Sequence, residues 1–422
     1  MATQQTMVVA ADAAQRRRIT RTGAITAVIL LLAYSIDYID RFGISMALPA
    51  IGREFGLSKT SQGLLVTAFA LVYMICQIPA GMVVDRIGSR ALLLGALIMW
   101  SVFTLMTAVT TTFALLLVVR GLFGASQGFF PAASFKTIAE RTTPRNRGTV
   151  MSVVLAAAGV GSSLSPLLMG PLLEHFGWRG AFLWLAGTGA LLGVVLLLLL
   201  PKPLSIELRD AERPVPPSAK ARRAVLRSPR VWLLAGVFCA ANFVTYGLIT
   251  WVPTYLQLAK GISIGKTGVL ASIPMATSVF TTIAGGFLFD RYFRDNPRWY
   301  LCVTLGIGGI FLIPMAAADS ANAFIVWETC ASFVAGLGSG ALVALPMRLL
   351  PSTLTGTGMG VFNFGGQVAG VAAPLLLGIV MDKFSYAAAF GLLACSCLIA
   401  AGLALCIPRR VDPTNFIKGA LS

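Results

Sequence analysis

The sequence predicts an all-α membrane protein of twelve transmembrane helices, arranged as two pseudo-symmetric six-helix bundles. Three observations carry this. The 422 residues are 57% hydrophobic and only 12% charged, with a mean hydropathy of +0.82, whereas a soluble domain carries about 25% charged residues. Apolar runs of roughly 20 residues, the length that crosses a bilayer, recur twelve times. The second half of the chain also repeats landmarks of the first. The low charge excludes an ordinary soluble enzyme, a disordered chain and a nucleic-acid binder. The net charge of +17 is a topology signal, because most of it sits in short loops on one side.

In order, the spans are 23–48, 61–84, 91–111, 114–138, 148–172 and 180–200, then 231–256, 267–289, 299–318, 322–347, 356–381 and 386–408. The first run is too long for a signal-peptide core. Gly177-Trp178-Arg179 precedes the sixth span. Between the sixes, residues 201–230 hold six prolines, eight Lys or Arg and three acids, which reads as a solvated linker. The domains are therefore an N-tail (1–22), an N-terminal bundle (23–200), the linker (201–230), a C-terminal bundle (231–408) and a C-tail (409–422). With the N-terminus inside, 25 of the 33 Lys and Arg fall in inner segments and six in outer loops. That asymmetry places both termini and the linker in the cytoplasm of a cell's inner membrane.

The halves match at fixed offsets. At 205 residues, Gly56-Leu57-Ser58 meets Gly261-Ile262-Ser263, Gly63 meets Gly268, Gly81 meets Gly286, and Asp85-Arg86 meets Asp290-Arg291. At 208, Gly128 meets Gly336, Pro166 meets Pro374, and Gly170 meets Gly378. Two parallel repeats of six spans share one in/out topology and can rock against each other around a central site.

The stretch Gly81-Met-Val-Val-Asp85-Arg86-Ile-Gly88-Ser-Arg90 resembles the loop 2–3 signature of the major facilitator superfamily, and Gly286 to Arg294 is a degraded second copy. Gly81 and Gly88 suit close helix approach and a tight turn, and Asp85 can bridge to a basic residue on a neighbouring helix end. A plain topology anchor is the competing reading of this motif. Other segments resemble one branch, the anion:cation symporter family: Asp37-Tyr-Ile-Asp40-Arg41 in span one, and Arg120, Gly124 and Gln127-Gly128-Phe-Phe-Pro131 in span four. Trp251-Val-Pro253-Thr-Tyr255 in span seven and Gly360, Asn363, Gly366 and Pro374 in span eleven complete the likeness. The chain departs from that family twice. Gln127 stands where the family has a glutamate, and Asp37 where it has an asparagine.

Charges within a bilayer normally face a cavity or a partner. Five qualify: Asp37, Asp40, Arg41, Arg120 and Glu328. Asp37 and Arg41 are one turn apart and can pair. Arg120 and Gln127 lie two turns apart on one face. Glu328 is the repeat mate of Arg120. Arg41 offers a permanent cation with planar donors suited to a carboxylate. The resemblance implies that spans one, four, seven and ten line the cavity. It also implies that Asp40 carries the proton, its protonation freeing Arg41, and that Tyr73 contacts substrate. In this chain Arg120 has to find Glu328, Asp37, substrate or backbone carbonyls. The second titratable site is expected at Asp37 or Glu328, unless one proton moves per turnover. Gln127 on span four, Tyr246, the repeat mate of Arg41, and Asn363 and Gln367 on span eleven are further candidates for substrate contact. The competing view makes Asp37–Arg41 and Arg120–Glu328 fixed ion pairs that hold the bundle together.

The seven cysteines lie in apolar segments without metal-ligand spacing, and no G-x-x-x-x-G-K-[ST] loop for ATP occurs. No cofactor or metal is expected, nor catalytic chemistry. The expectation is a monomeric, proton-coupled importer of a small organic anion, a sugar acid or other carboxylate, working by alternating access. The alternative is a proton-driven efflux antiporter of an amphiphilic compound.

Overall fold

A computed structural model describes the backbone of residues 2–204, 218–350 and 354–408, with side chains from residue 20 onward except at 145. The middle of the linker and the whole C-tail lie outside the described residues. In chain order the helices are α1 (Ala2–Phe55), α2 (Lys59–Ile87), α3 (Ser89–Val109), α4 (Phe113–Arg141), α5 (Pro144–Leu199) and α6 (Ala219–Arg227). They continue as α7 (Pro229–Leu258), α8 (Ile264–Leu288), α9 (Pro297–Ala316), α10 (Ala321–Leu349), α11 (Thr355–Lys383) and α12 (Tyr386–Leu405). A π-helical turn, Phe289–Phe293, extends α8.

Eleven of these are long and apolar enough to cross a bilayer. The twelfth crossing is hidden in α5. Its 56 residues would measure about 84 Å if straight, nearly three times the ~30 Å hydrocarbon core. Gly177 breaks it, with φ at 65° and ψ at 177° inside the helix. The limb before Gly177 runs parallel to α1: Ser165 donates to the Ile39 carbonyl at 2.9 Å, and Met169 packs on Gly43. The limb after it runs antiparallel to α3, with Gly189 against Ser101, Gly193 against Leu97, and Arg90 donating to the Leu197 carbonyl. The turn is pinned where α1 and α3 end. Arg179 pairs with Glu54, Trp178 Nε1 donates to Glu54 at 2.7 Å, and Arg179 Nη2 donates to the Thr110 carbonyl at 2.8 Å.

Close helix approach is set by glycines on α4 and α10. A Cβ on Gly124 would collide with the Phe69 carbonyl of α2, and one on Gly128 would sit 2.8 Å from the Tyr73 carbonyl. The repeat copy does the same: a Cβ on Gly336 of α10 would sit 3.1 Å from the Ser278 carbonyl of α8 and collide with the Thr281 hydroxyl. Such small-residue seams let backbones touch where no hydrophobic force drives helices together. Gly81 has open space around it, which corrects the expectation that it permits helix approach. Gly88, at φ 86°, is the single residue between α2 and α3, a conformation that only glycine adopts readily.

The end of the bundle bearing Gly88 and the linker is the linker end; Gly56, Gly177 and Gly261 mark the far end. The halves meet from the middle to the far end through two equivalent seams. Gly63 of α2 packs on the Pro374 carbonyl of α11, and Gly268 of α8 packs on the Pro166 carbonyl of α5. A Cβ on Gly378 would sit 2.6 Å from the Lys59 carbonyl, and one on Gly170 would sit 3.3 Å from the Ile264 carbonyl. Asp382 then caps α2, accepting from Lys59 N at 2.9 Å, Thr60 N at 2.7 Å and Thr60 Oγ1 at 2.6 Å. Its repeat mate Glu174 lies against Gly265 at the start of α8. Carboxylates at helix N-termini complement the exposed N–H groups and the helix dipole.

Candidate functional site

The buried charges of α1 sit at its middle, where one turn of spacing brings Asp37 and Arg41 together. Arg41 Nη2 donates to Asp37 Oδ2 at 3.2 Å, with both side chains nearly sealed. From α4, Gln127 completes a triangle. Its Oε1 accepts from Arg41 Nε at 3.4 Å, and its Nε2 donates to the Asp37 backbone carbonyl at 3.4 Å. The Arg41 guanidinium is ringed by Tyr73 at 4.3 Å, Tyr38 at 4.8 Å and Phe69 at 5.3 Å. Aromatic faces stabilise a cation that has lost its water. Asp37 Oδ1 is left without a hydrogen-bond partner.

A second cluster lies beside the first. Asp40 is fully buried, and its Oδ2 accepts from Thr104 Oγ1 of α3 at 2.7 Å, while Oδ1 is unpaired. Arg120 stands over Phe123 at 4.6 Å and shares the Phe69 ring with Arg41 at 5.3 Å. Its Nε and Nη2 have no partner. The structure divides the charges differently from part of the sequence expectation. Arg41 is held by Asp37 rather than Asp40. Among the described residues no ion pair joins Arg120 to Glu328, whose Oε2 is itself without a partner, so the supposed Arg120–Glu328 pair does not form. Helix phase explains the first point: Asp40 is about 100° around α1 from Arg41, which turns it toward α3.

Across the divide, Tyr246 of α7 approaches α1, with its ring 6.5 Å from Phe42 and its edge against Gly370 of α11. Gln367 is half-buried and Asn363 exposed on α11, and neither makes a hydrogen bond to the Arg41 cluster. Glu328 of α10 is 4% exposed and lines a separate cavity of about 440 Å³ between α5, α7, α8 and α10. Sequence reasoning did not pick out Phe69, Phe123 or Thr104. The two rings look like ordinary lipid-facing residues, and Thr104 carries only the weak signal of lying one turn after buried Trp100.

At the linker end, Asp85 pairs with Lys136 of α4 at 2.8 Å, and Lys136 also donates to the Val84 carbonyl at 3.0 Å. The second copy repeats this as Asp290 with Arg348 of α10. Arg86 is exposed.

The comparisons agree with this architecture. The chain is 27% identical over 406 residues to the hexuronate transporter of Bacillus subtilis, covering 91% of this chain and 93% of that one. It is 26% identical over 407 residues to the D-galactonate transporter of Escherichia coli O6:H1, with 89% and 93% covered. Against the "Probable sulfoacetate transporter SauU" of Cupriavidus necator it is 28% identical over 378 residues, with 84% and 86% covered. A solved bacterial homolog of the human lysosomal transporter Spinster, inward-facing and unoccupied, superposes with a TM-score of 0.77 at 20% identity, over 95% of this chain and 97% of that chain. The Major Facilitator Superfamily pattern matches residues 30–374, from the charged middle of α1 to the proline that seals α11 against Gly63. The chain is thus a multi-pass membrane carrier rather than an enzyme, and it belongs to the Major Facilitator Superfamily.

Proposed function

We propose that the chain imports a small organic anion together with protons. The observation that carries this reading is Arg41: a buried guanidinium, flanked by rings, whose only carboxylate partner among the described residues is Asp37 on its own helix. Protonation of Asp37 releases Arg41 Nη2 for a substrate carboxylate, and protonation of Asp40 removes a negative charge from the same buried cluster. The anion then neutralises the positive charge left there, which ties the two fluxes together. Asp37 takes the place of the titratable group that Gln127 lacks. The relatives named for hexuronate, D-galactonate and sulfoacetate support an organic anion as the class. The positive-side count supports both termini in the cytoplasm of an inner membrane, and a monomer contains every residue of the site.

The test is uptake into proteoliposomes under an inward proton gradient, with sugar acids and aromatic carboxylates as substrates. Gradient-driven accumulation should vanish in Asp40→Asn, and binding should vanish in Arg41→Ala. The proton-to-substrate ratio should fall in Asp37→Asn. The apolar cavity with one acid favours a second reading, efflux of an amphiphile in exchange for protons. Exchange of such a compound without accumulation of any anion would establish that one instead.

A further inference from the structure

The helix that ends the linker is built unlike the spans. α6 has nine residues, and Ser218 caps its start by accepting from Ala221 N at 3.2 Å. Ala224 and Val225 are buried in the core of the C-terminal bundle, with α11 alongside. Ser228 alone separates α6 from α7, and its carbonyl accepts from Val231 N and Trp232 N. α6 is thus fixed to the start of a membrane span. The 30 residues of α7 measure about 45 Å, close to the ~40–45 Å of a bilayer with its headgroups. Pro229, and α6 beside it, therefore stand at headgroup depth.

Residues 218–232 hold five Lys or Arg and no acid. At about 100° per residue, Ala221, Ala224 and Val225 share the packed side of α6, while Lys220, Arg222, Arg223 and Arg227 spread over the rest. These four are exposed, and among the described residues none of them forms an ion pair. Several other cations at this end are already engaged. Lys136 holds Asp85, Arg348 holds Asp290, and Arg90 and Arg141 donate to backbone carbonyls. Within the basic face lies Leu226, half-exposed, and Trp232, also half-exposed, donates Nε1 to the Leu226 carbonyl at 2.8 Å. Arginines mixed with a bare leucine and tryptophan suit the boundary between acyl chains and headgroups, where each kind of side chain finds its own medium.

We propose that the exposed face of α6 is a docking surface for anionic phospholipid headgroups in the leaflet at the linker end. The phosphodiester charge pairs with Arg222, Arg223 and Arg227, and the acyl chains lie against Leu226 and Trp232. Each cation near such a surface strengthens attachment roughly fivefold, and the attraction fades beyond about 10 Å at 0.1 M salt. Because α6 packs on α11, bound lipid holds the C-terminal bundle to that leaflet.

The experiment places the full-length protein in phosphatidylcholine nanodiscs doped with phosphatidylglycerol whose headgroup carries a photoreactive group, and maps the crosslinks by peptide mass spectrometry. Residues 218–232 should hold the largest share of crosslinks at the linker end. In the triple variant Arg222→Gln, Arg223→Gln, Arg227→Gln that share should fall about tenfold. The triple variant Arg222→Lys, Arg223→Lys, Arg227→Lys should keep most of it, because a phosphate also accepts a point charge. Removing equal charge from exposed positions elsewhere at this end, by Arg86→Gln, Arg291→Gln and Arg294→Gln, should leave the α6 crosslinks unchanged. Phosphatidylcholine carrying the same photoreactive group should label α6 weakly. Crosslinks spread evenly over the linker end overturn the proposal, as does an equal loss in the two Gln triples, which would mean attraction to net charge alone. Should the α6 Gln triple not fold, equal labelling by the two lipids overturns it.

Discussion

The two bundles repeat one another in backbone and differ sharply in what they bury. The N-terminal bundle gathers two acids, two arginines and Gln127 around the Phe69 ring. The C-terminal bundle holds one unpartnered acid in an apolar cavity. Helix contacts follow the repeat closely, since Gly128 on the Tyr73 carbonyl is matched by Gly336 on the Ser278 carbonyl. The duplicated scaffold is thus set by small residues at seams, while side-chain chemistry has been concentrated in one copy. Charge pairs are cheapest to bury when they share a desolvated pocket, which favours gathering them together over spreading them through both bundles.

The sharpest way to break this contrast is Arg41→Ala. It removes the cation proposed to hold the substrate and strands Asp37, a loss of about 3–5 kcal/mol for an unpaired buried charge. Affinity for carboxylates measured by calorimetry should drop by at least a hundredfold, whereas Tyr246→Phe, at the matching position of the other half, should cost much less. Next in size is Gly124→Leu. Its side chain would meet the Phe69 backbone rather than a movable group, and overpacking of this kind costs about 1–3 kcal/mol. A thermal melt of the purified protein should show a clear loss of stability, and Gly81→Ala, with open space around it, should show none. Asp382→Ala removes three hydrogen bonds that join the halves. Spin-label distances across the far end should shift toward the open population by roughly tenfold, as about 1.4 kcal/mol requires. The smallest effect is expected for Asp85→Asn. That pair is largely solvent-exposed and worth about 0–1 kcal/mol, so the same distances should change less than about fivefold.

Much of this was legible from residue order. Twelve crossings follow from apolar length, although spans five and six meet directly at Gly177 as two helices with no loop between them. The repeat offsets located real contacts: Gly63 with Pro374 and Gly268 with Pro166 are related by them residue for residue. The Asp37–Arg41 pair followed from a one-turn spacing. The partner of Arg120 did not, because spacing along a single helix says nothing about which neighbouring helix turns toward it. The aromatic ring around Arg41 was hidden for a similar reason: Phe69 and Tyr38 come from different helices. Gln127 was read as a lost acid. It proves to be a spacer that accepts from Arg41 and donates to the backbone of Asp37, a role an ionised glutamate could fill only in part.

The crossed glycine seams have a consequence for leakage. Each half contributes one glycine and one proline carbonyl, so the closed far end is a pair of like zippers sharing one approximate axis. Packing at the glycines is backbone on backbone, and the Asp382 carboxylate ties the end of α11 to the start of α2 beside it. Parting one zipper tilts the bundles and withdraws the other. Opening is therefore all-or-none, and a half-parted slit wide enough for water or protons has nothing to stabilise it. A carrier built this way closes its far end through the shape of two backbone seams, each finished by a carboxylate at a helix start.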